Sequence, residues 1–188
     1  MQAQQPAIEE ERAVVARMAA GDRRALAELY ARYERPLLAY LRLLTPDAGL
    51  AEELLQDTLL AAWTGARGYA GQASVQGWLL GIARRRAHDA LRRRALRLVD
   101  AGALEPVPSP EPEPEALALA QAEREELAAA IARLAPVHRE VLVLAFVHEL
   151  SYGDLAEVLG IPLGTVKSRL SNAKRALRAR VRPDGTIR

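Results

Sequence analysis

The chain has 188 residues, of which 50% are hydrophobic and 27% charged, and its 26 basic and 24 acidic side chains leave a net charge of only +2. This length suits one domain or two small ones, and the composition is too apolar for a disordered chain. The absence of cysteine excludes disulfides, thiolate zinc sites and thiol redox chemistry within this chain.

No apolar run approaches the ~18 residues that a membrane span needs. Three glutamates at positions 9–11 stand where a signal peptide would carry its apolar core. We therefore expect a cytoplasmic protein.

The first two predicted helices are separated by a glycine. One covers 9–20 and ends at Gly21, and Asp22 caps the next. Pro36 is expected to kink that second helix, or to start a new segment that runs through Leu44.

Two further helices are predicted before residue 98. Asp47 lies in a turn that caps a helix over about 48–64. A loop over 65–73 contains three glycines, and Ser74 then caps a long helix that reaches about Arg97. The helix-rich pattern, with only 4% aromatic residues and little strand-like alternation, predicts an almost all-α protein.

Positive charge is concentrated in two of the predicted helices. Residues 78–97 contain seven arginines and one acid, and residues 167–182 contain seven basic side chains and no acid. The codon usage of a GC-rich genome explains the preference for Arg over Lys but not the clustering. Basic clusters of this kind attract nucleic-acid phosphates whatever the base sequence.

A proline-rich acidic segment separates these two helices. Residues 98–117 carry five acids, no base and five of the 11 prolines. Alternating prolines remove backbone donors and favour extended polyproline II. We expect a flexible Pro/Glu-rich linker between two small helical domains, at 1–97 and 118–188.

The second domain is expected to contain a helix-turn-helix. Leu127, Ile131 and Leu134 mark its first helix, and Pro136 starts the second. A capping box of Ser151 and Asp154 starts the third helix, in which Tyr152, Leu155, Ala156 and Leu159 are predicted to face inward.

Gly160 permits a tight turn into the last helix, where Pro162 suits the first turn. The apolar face of that helix carries Val166, Leu170, Ala173 and Leu177. The polar face and its flanks supply groups of the length that base edges and phosphates need. The predicted contacts to duplex DNA are Thr165, Lys167, Ser168, Arg169, Ser171, Asn172, Lys174 and Arg175. Asn172 suits adenine, and Lys167 or Arg175 suits guanine.

The arginine-rich helix and the loop before it form a second candidate DNA surface. Aromatic stacking on single-stranded bases is worth ~1–3 kcal/mol per base. Trp78 is assigned to the core rather than to stacking, because it aligns with Ile82. The predicted contacts to an unpaired strand are Tyr69, Gln72, Ser74, Arg84, Arg85, His88 and Arg92.

An acidic group lies on the predicted helix over 48–64. Glu52, Glu53 and Asp57 stand beside Leu54 and Leu55. The group is either ordinary solvated surface or a docking face for a basic partner.

The sequence offers no recognisable catalytic or metal-binding set. The three histidines, at 88, 138 and 148, show no ligand spacing and are interpreted as surface or boundary residues. No Ser/His/Asp set and no phosphate-cradling glycine loop is found. We expect no catalytic residue, no metal, no cofactor and no enzymatic activity.

Both halves together resemble a bacterial sigma factor of the extracytoplasmic-function (ECF) group, group 4 of the sigma-70 family. The resemblance covers about 20–182 and rests on ALAELYARYERPLLAYLRLL, AEELLQDTLLAAW, YAGQASVQGWLLGIARRRAHDALRRR and LAPVHREVLVLAFVHELSYGDLAEVLGIPLGTVKSRL. It departs from the family where Val75-Gln76 replace the usual Phe-Arg, where Arg85 replaces Asn, and where Ser171 and Asn172 replace basic residues.

The resemblance implies a promoter-specificity subunit. The first domain would dock on the β′ clamp helices of core RNA polymerase and recognise and melt the −10 element, and the second would read the −35 element and contact the β flap. It gives Glu53, Leu54, Gln56 and Asp57 a docking role. Family members are commonly held inactive by an anti-sigma factor, so that partner is also implied. The departures imply other −10 bases and another −35 sequence.

Two other interpretations remain open from the residues. A stand-alone helix-turn-helix transcriptional regulator would need a ligand-binding or phosphoacceptor domain in the first hundred residues. An enzyme that acts on nucleic acid would need a metal or acid–base constellation.

Overall fold

The structure is a computed structural model that describes residues 5–100 and 127–180. Every regular element in those ranges is helical, and contacts divide the chain into two compact units. The all-α prediction is confirmed. Among the described residues, no helix has the length and apolar character needed to cross a membrane.

The first unit is built by four α-helices and one short turn. They are α1, Gln5–Ala19; α2, Arg23–Leu44; α3, Ala48–Gly65; a 3₁₀ turn, Ala66–Gly68; and α4, Val75–Asp100. All four helices were predicted from the sequence, although α1 begins before the predicted residue 9.

The predicted caps position these helices. The Asp22 carboxylate accepts from the amide two residues later at 2.8 Å, and Asp47 accepts from the Leu50 amide at 3.0 Å. Ser74 Oγ accepts from the Gly77 amide at 3.0 Å. Each cap satisfies an amide that has no partner inside its own helix.

The expectation that Pro36 starts a new segment is wrong. α2 continues through Pro36 to Leu44 as one helix. Leu37, Tyr40 and Leu41 are fully buried on the turns that follow the proline. Their packing outweighs the loss of one backbone hydrogen bond, which is the local cost of a proline inside a helix.

The core of the first unit lies among these four helices. Each large apolar side chain that is removed from water contributes roughly 1.5–3 kcal/mol. The fully or almost fully buried side chains include Val15, Met18, Leu29, Leu37, Tyr40, Leu41, Leu54, Leu79 and Leu80.

The second unit is a set of shorter helices. Its first described helix, α5, covers 127–132. α6, Pro136–Leu142, begins at Pro136 as predicted and continues into a π-helical turn, Val143–Val147. The helix-turn-helix follows as α7, Tyr152–Leu159, and α8, Leu163–Arg178.

The turn between α7 and α8 uses the predicted residues. Ser151 Oγ accepts from the Asp154 amide and donates to its carboxylate, both at 3.0 Å. Gly160 adopts the left-handed conformation, φ 64° and ψ 38°, and its amide bonds to the Ala156 carbonyl. Pro162 stands at the N-cap of α8, one residue before the helix.

Two apolar positions of the second unit are exposed, and one of them, Tyr152, was predicted to face inward. Leu127 and Tyr152 are each 46% exposed, whereas Ala130, Leu134 and Leu155 are buried. Tyr152 is the first residue of α7, where the helical period has no preceding turn to support it. The helical period alone does not predict at which residue a helix begins or ends.

The predicted linker lies largely outside the described residues. α4 extends to Asp100, three residues beyond the predicted domain end at 97. Residues 101–126, which contain the rest of the 98–117 segment and the start of the predicted second domain, are not described.

Candidate nucleic-acid interface

α8 has one face in the core of its unit and one face in solvent. Val166, Leu170 and Ala173 are buried, and Leu177 is half-buried. This confirms the predicted apolar face. Of the eight predicted duplex contacts, six are exposed and two, Arg169 and Lys174, are half-buried; the exposed ones are Thr165, Lys167, Ser168, Ser171, Asn172 and Arg175.

Hydrogen bonds organise part of the exposed face of α8. Arg175 Nη2 donates to Asn172 Oδ1 at 3.0 Å, so that the two side chains form one polar unit. Ser168 Oγ donates to the Thr165 carbonyl at 3.0 Å. The Asn172 amide nitrogen keeps its two donors, and its oxygen keeps a second lone pair. This pair can therefore still meet a base edge.

Lys174 is directed away from that polar unit. Its Nζ lies 4.9 Å from the centroid of the Phe146 ring, in cation–π contact with the π-helical turn. Lys174 is half-buried and lies at the border of the exposed face. From this position its ammonium group is better placed to contact a phosphate than a base.

α4 presents a cationic side to solvent. Leu79, Ile82, Ala83 and Ala87 are buried as predicted, and the predicted Ala90 and Leu91 are half-buried. Among the predicted strand contacts, Arg85, His88 and Arg92 are exposed, and Arg84 is half-buried.

Not every arginine of α4 is equally available. Arg92 Nη2 lies 3.1 Å from Asp89 Oδ1, and Arg94 Nη1 donates to Asp47 Oδ2 at 2.9 Å. Asp47 also caps α3, and the Leu50 amide and Arg94 together lower the pKa of its carboxyl. Arg94 therefore joins the end of α4 to the start of α3, a role that the charge pattern does not reveal.

An aromatic ring of the loop before α4 packs against an aromatic ring of α4 itself. The centroids of Tyr69 and Trp78 are 4.9 Å apart, with the planes at 39°, and both residues are half-buried. Tyr69 Oη donates to the Ala73 carbonyl at 2.7 Å, while Gln72 is exposed. Trp78 is thus not the fully buried core residue that was expected. Ser74 is half-buried, and its Oγ is engaged as the cap of α4.

Both units match models of known protein families. Residues 29–97 match Sigma-70 region 2, and residues 124–177 match Sigma-70 region 4. ECF RNA polymerase sigma factor SigC of Mycobacterium tuberculosis is 34% identical over 139 residues, which are 73% of this chain and 74% of the relative. ECF RNA polymerase sigma factor RpoE of Cereibacter sphaeroides is 35% identical over 158 residues, 84% of this chain and 86% of the relative.

The chain belongs to the ECF sigma factors of RNA polymerase.

Two solved structures are similar to this chain over most of its length. RpoE of Bartonella quintana, solved in complex with the anti-sigma factor NepR, has a TM-score of 0.65 at 26% identity, over 81% of this chain and 94% of that one. CnrH, solved with the cytosolic domain of CnrY, has a TM-score of 0.63 at 27% identity, over 90% of this chain and 95% of that one.

This ECF sigma factor directs promoter-specific transcription initiation by RNA polymerase. Sigma factors are regulatory, non-catalytic subunits of that enzyme. The stand-alone regulator is disfavoured, because it needed a ligand or phosphoacceptor domain where residues 29–97 match region 2.

The predicted docking residues of the sigma factor lie on α3. Glu53, Gln56 and Asp57 are exposed, but Leu54 is 2% exposed and belongs to the core, so its assignment as a surface contact is wrong. Leu60 is 62% exposed instead. Positions 53, 56, 57 and 60 share one helical face, and this i, i+3, i+4, i+7 spacing was the available signal for Leu60.

The histidines differ from the expectation at one position. His88 is exposed and His138 half-buried, but His148 is only 4% exposed. Its burial at the end of the π-helical turn lowers its pKa below the ordinary value. In the part of the chain that the structure describes, no group of three or more potential ligands suits a metal ion.

Proposed function

We propose that this sigma factor binds core RNA polymerase and places it on promoters through two DNA contacts. α8 would read the duplex −35 element, and the loop 69–73 with α4 would capture the unpaired −10 strand. The observation that carries this proposal is the exposed face of α8, a row of polar and cationic side chains on a helix whose other face is fixed in a helix-turn-helix.

The −35 contact would use the whole exposed face of α8. In a helix-turn-helix the N-terminal residues of the second helix contact base edges. Thr165, Lys167 and Ser168 are placed for that role, while the Asn172–Arg175 unit follows one to two turns later. Arg175 can fork onto guanine and Asn172 can pair with adenine, and each such contact is worth about 1–3 kcal/mol of discrimination.

The −10 contact would combine charge and stacking. Arg85, His88 and Arg92 line the solvent side of α4 and would follow phosphates of the unpaired strand, with Arg84 beside them. Gln72 is exposed in the loop and would bond to a base edge, while the Tyr69 ring, backed by Trp78, would stack on an unstacked base.

Two exposed surfaces would meet core polymerase. On α3, the acidic and amide groups of Glu53, Gln56 and Asp57 surround Leu60, an apolar centre with a polar rim. We propose that this face docks on the β′ clamp helices. In the second unit, Phe146 and Val147 are 56% and 68% exposed, and they would form the contact to the β flap.

The domain boundaries and remaining partners are part of the same proposal. The family matches fall inside the proposed domains at 1–97 and 118–188, with the linker at 98–117 between them. RpoE and CnrH were both solved in complexes, RpoE with an anti-sigma factor, which supports an anti-sigma partner here. The protein would act in the cytoplasm, beside polymerase and DNA, without catalysis, metal or cofactor of its own.

Reconstituted run-off transcription tests the proposal. Core polymerase, the full chain and a pool of genomic upstream fragments are combined, and transcript starts are sequenced. We expect starts that require the protein and share two motifs at a fixed spacing. Absence of core binding and of transcripts, with retained duplex binding, would instead support the stand-alone regulator.

A matched pair of variants assigns the −35 contact to α8. Arg175→Ala and Arg35→Ala each remove one exposed arginine from a helix, but only Arg175 lies on the proposed face. We expect Arg175→Ala to weaken −35 binding about tenfold or more, and Arg35→Ala to leave it unchanged. If both variants weakened −35 binding equally, the effect of Arg175 would be one of general positive charge and not of a specific contact.

A further inference from the structure

The loop over 69–73 is fastened to α1, a helix outside the region 2 match that begins at residue 29. Arg12 of α1 reaches across 59 positions of sequence, and its Nη2 donates to the Gly71 carbonyl at 2.9 Å. Arg67, just before the loop, reaches back in the other direction, and its Nε donates to the Ala19 carbonyl at 3.2 Å. Two arginines therefore link α1 and the loop in opposite directions.

The Arg67 bond uses a carbonyl that the helix leaves open. Ala19 is the last residue of α1, and the last four carbonyls of an α-helix have no partner within it. A cation at this end also interacts favourably with the helix dipole. The bond thus fixes the start of the loop to the end of α1.

The Arg12 bond depends on the glycine that it meets. Gly71 has φ +69°, a left-handed conformation that side chains rarely adopt, and a Cβ placed there would lie 3.4 Å from Arg12 Cζ. The guanidinium therefore packs against the bare backbone of the loop as well as bonding to it. A side chain at position 71 would press on this contact.

The rest of the loop is closed on itself. Tyr69 Oη bonds to the Ala73 carbonyl, and the Tyr69 ring lies against Trp78. These contacts span the two ends of the loop, while Arg12 holds its middle at Gly71. Together they leave Gln72 exposed beside a fixed carbonyl.

We propose that Arg12 is a positioning residue for −10 recognition, which holds the loop in the conformation that receives an unpaired base. The inference rests on the proposed role of this loop. A loop that is ordered before binding loses less conformational entropy when the base arrives, so the anchor raises affinity without touching DNA. Arg67 supports the same loop at its start.

The test compares Arg12→Gln with Arg12→Lys and with Arg23→Gln. Arg23 is exposed at the start of α2, so Arg23→Gln removes the same charge without touching the loop. Hydrogen exchange of residues 66–74 in the full chain measures loop order directly. Holoenzyme is then titrated with a fork-junction DNA that carries the −10 sequence found by run-off transcription, and with duplex −35 DNA.

We expect Arg12→Gln to speed exchange in the loop and to weaken fork-junction binding about fivefold, the effect of losing one hydrogen bond of modest net strength. Binding of −35 duplex and of core polymerase stays unchanged, Arg12→Lys restores part of the loss, and Arg23→Gln behaves as wild type.

Unchanged exchange in Arg12→Gln would overturn the inference, and so would faster exchange with unchanged fork-junction binding. If Arg23→Gln lost as much fork-junction affinity as Arg12→Gln, the effect would come from charge alone, and the inference would also be overturned. If wild-type holoenzyme ignores the unpaired strand, the proposed −10 role of the loop fails and the inference fails with it, while the exchange data still report whether Arg12 orders the loop.

Discussion

Replacing Gly160 by alanine isolates the backbone cost of the turn in the helix-turn-helix. Gly160 caps α7 at φ 64° and ψ 38°, and a Cβ added there meets no described atom within 4 Å. No clash and no lost side-chain contact accompanies Gly160→Ala. The substitution should therefore lower the free energy of unfolding only by the strain of a non-glycine residue in the left-handed conformation, roughly 1–2 kcal/mol.

A second glycine four positions later supplies a control of opposite sign. Gly164 is the second residue of α8, and a Cβ there also meets nothing within 4 Å among described atoms. Its replacement by alanine should stabilise the helix by at most roughly 0.5–1 kcal/mol, the helix-interior value, because alanine loses less backbone freedom on folding than glycine. The two variants add the same methyl group in open space and differ only in backbone conformation.

Thermal unfolding of the full chain, followed by circular dichroism, measures both variants. A change of 1 kcal/mol shifts the midpoint of a domain of this size by roughly 4–8 °C. We expect Gly160→Ala to lower the midpoint of the second unit by roughly 4–16 °C and Gly164→Ala to raise it by at most about half as much. Both tryptophans, Trp63 and Trp78, lie in the first unit, so tryptophan fluorescence reports that unit separately.

Two results would refute this reasoning. A neutral or stabilising Gly160→Ala would mean that the turn relaxes to a conformation without positive φ. A destabilising Gly164→Ala would mean that this position is more closely surrounded than its backbone indicates. Gly160→Asn provides a graded check, since asparagine tolerates the left-handed region better than alanine and should lose less stability.

Three further predictions concern single positions. Burial holds the pKa of His148 below 6.5, so as pH falls through 6.5 the unfolded chain takes up a proton before the folded chain does and stability is lost. The denaturant midpoint should therefore drop more between pH 7.5 and pH 5.5 in wild type than in His148→Gln. An equal drop in the two proteins would contradict this. Lys174→Ala should reduce the slope of log K against log salt for −35 duplex by about 0.9, because Lys174 is placed for one phosphate contact, and Arg35→Ala should leave the slope unchanged. Leu60→Glu should weaken core polymerase binding at least tenfold, while Leu96→Glu, which replaces a similarly exposed leucine, should not, and a pull-down titration distinguishes them.

The sequence was most informative where local chemistry decides the structure. Asp22, Asp47, Ser74 and Ser151 were predicted as caps, and each does cap its helix, because a cap needs only a short polar side chain and an amide two or three residues away. Gly160 was assigned to a tight turn for the same reason. The apolar face of α8 also followed from its helical period.

Prediction failed where the answer depended on which elements pack together. Leu54 and Leu60 are both leucines on α3, yet one is 2% and the other 62% exposed. The helical period groups Leu60 with Glu53, Gln56 and Asp57, but it is the packing of α2 and α4 against α3 that buries Leu54. Tyr152 fits the inward period of α7 but lies at its first residue. Pro36 obeys the local rule for breaking a helix, and burial of the next turns overrides that rule.

The roles of individual arginines also depended on packing that the sequence does not show, and these roles matter for function. Charge density marks α4 as a cationic helix, but it assigns every arginine the same role. Arg94 is joined to Asp47, 47 positions earlier, and Arg12 to Gly71, 59 positions later. Both bonds connect elements that the chain brings together only after folding, so no local pattern could separate an arginine that braces the fold from one that faces DNA. For this sigma factor the distinction decides which arginine substitutions should remove a DNA contact directly and which should act only through the elements that the arginine holds together.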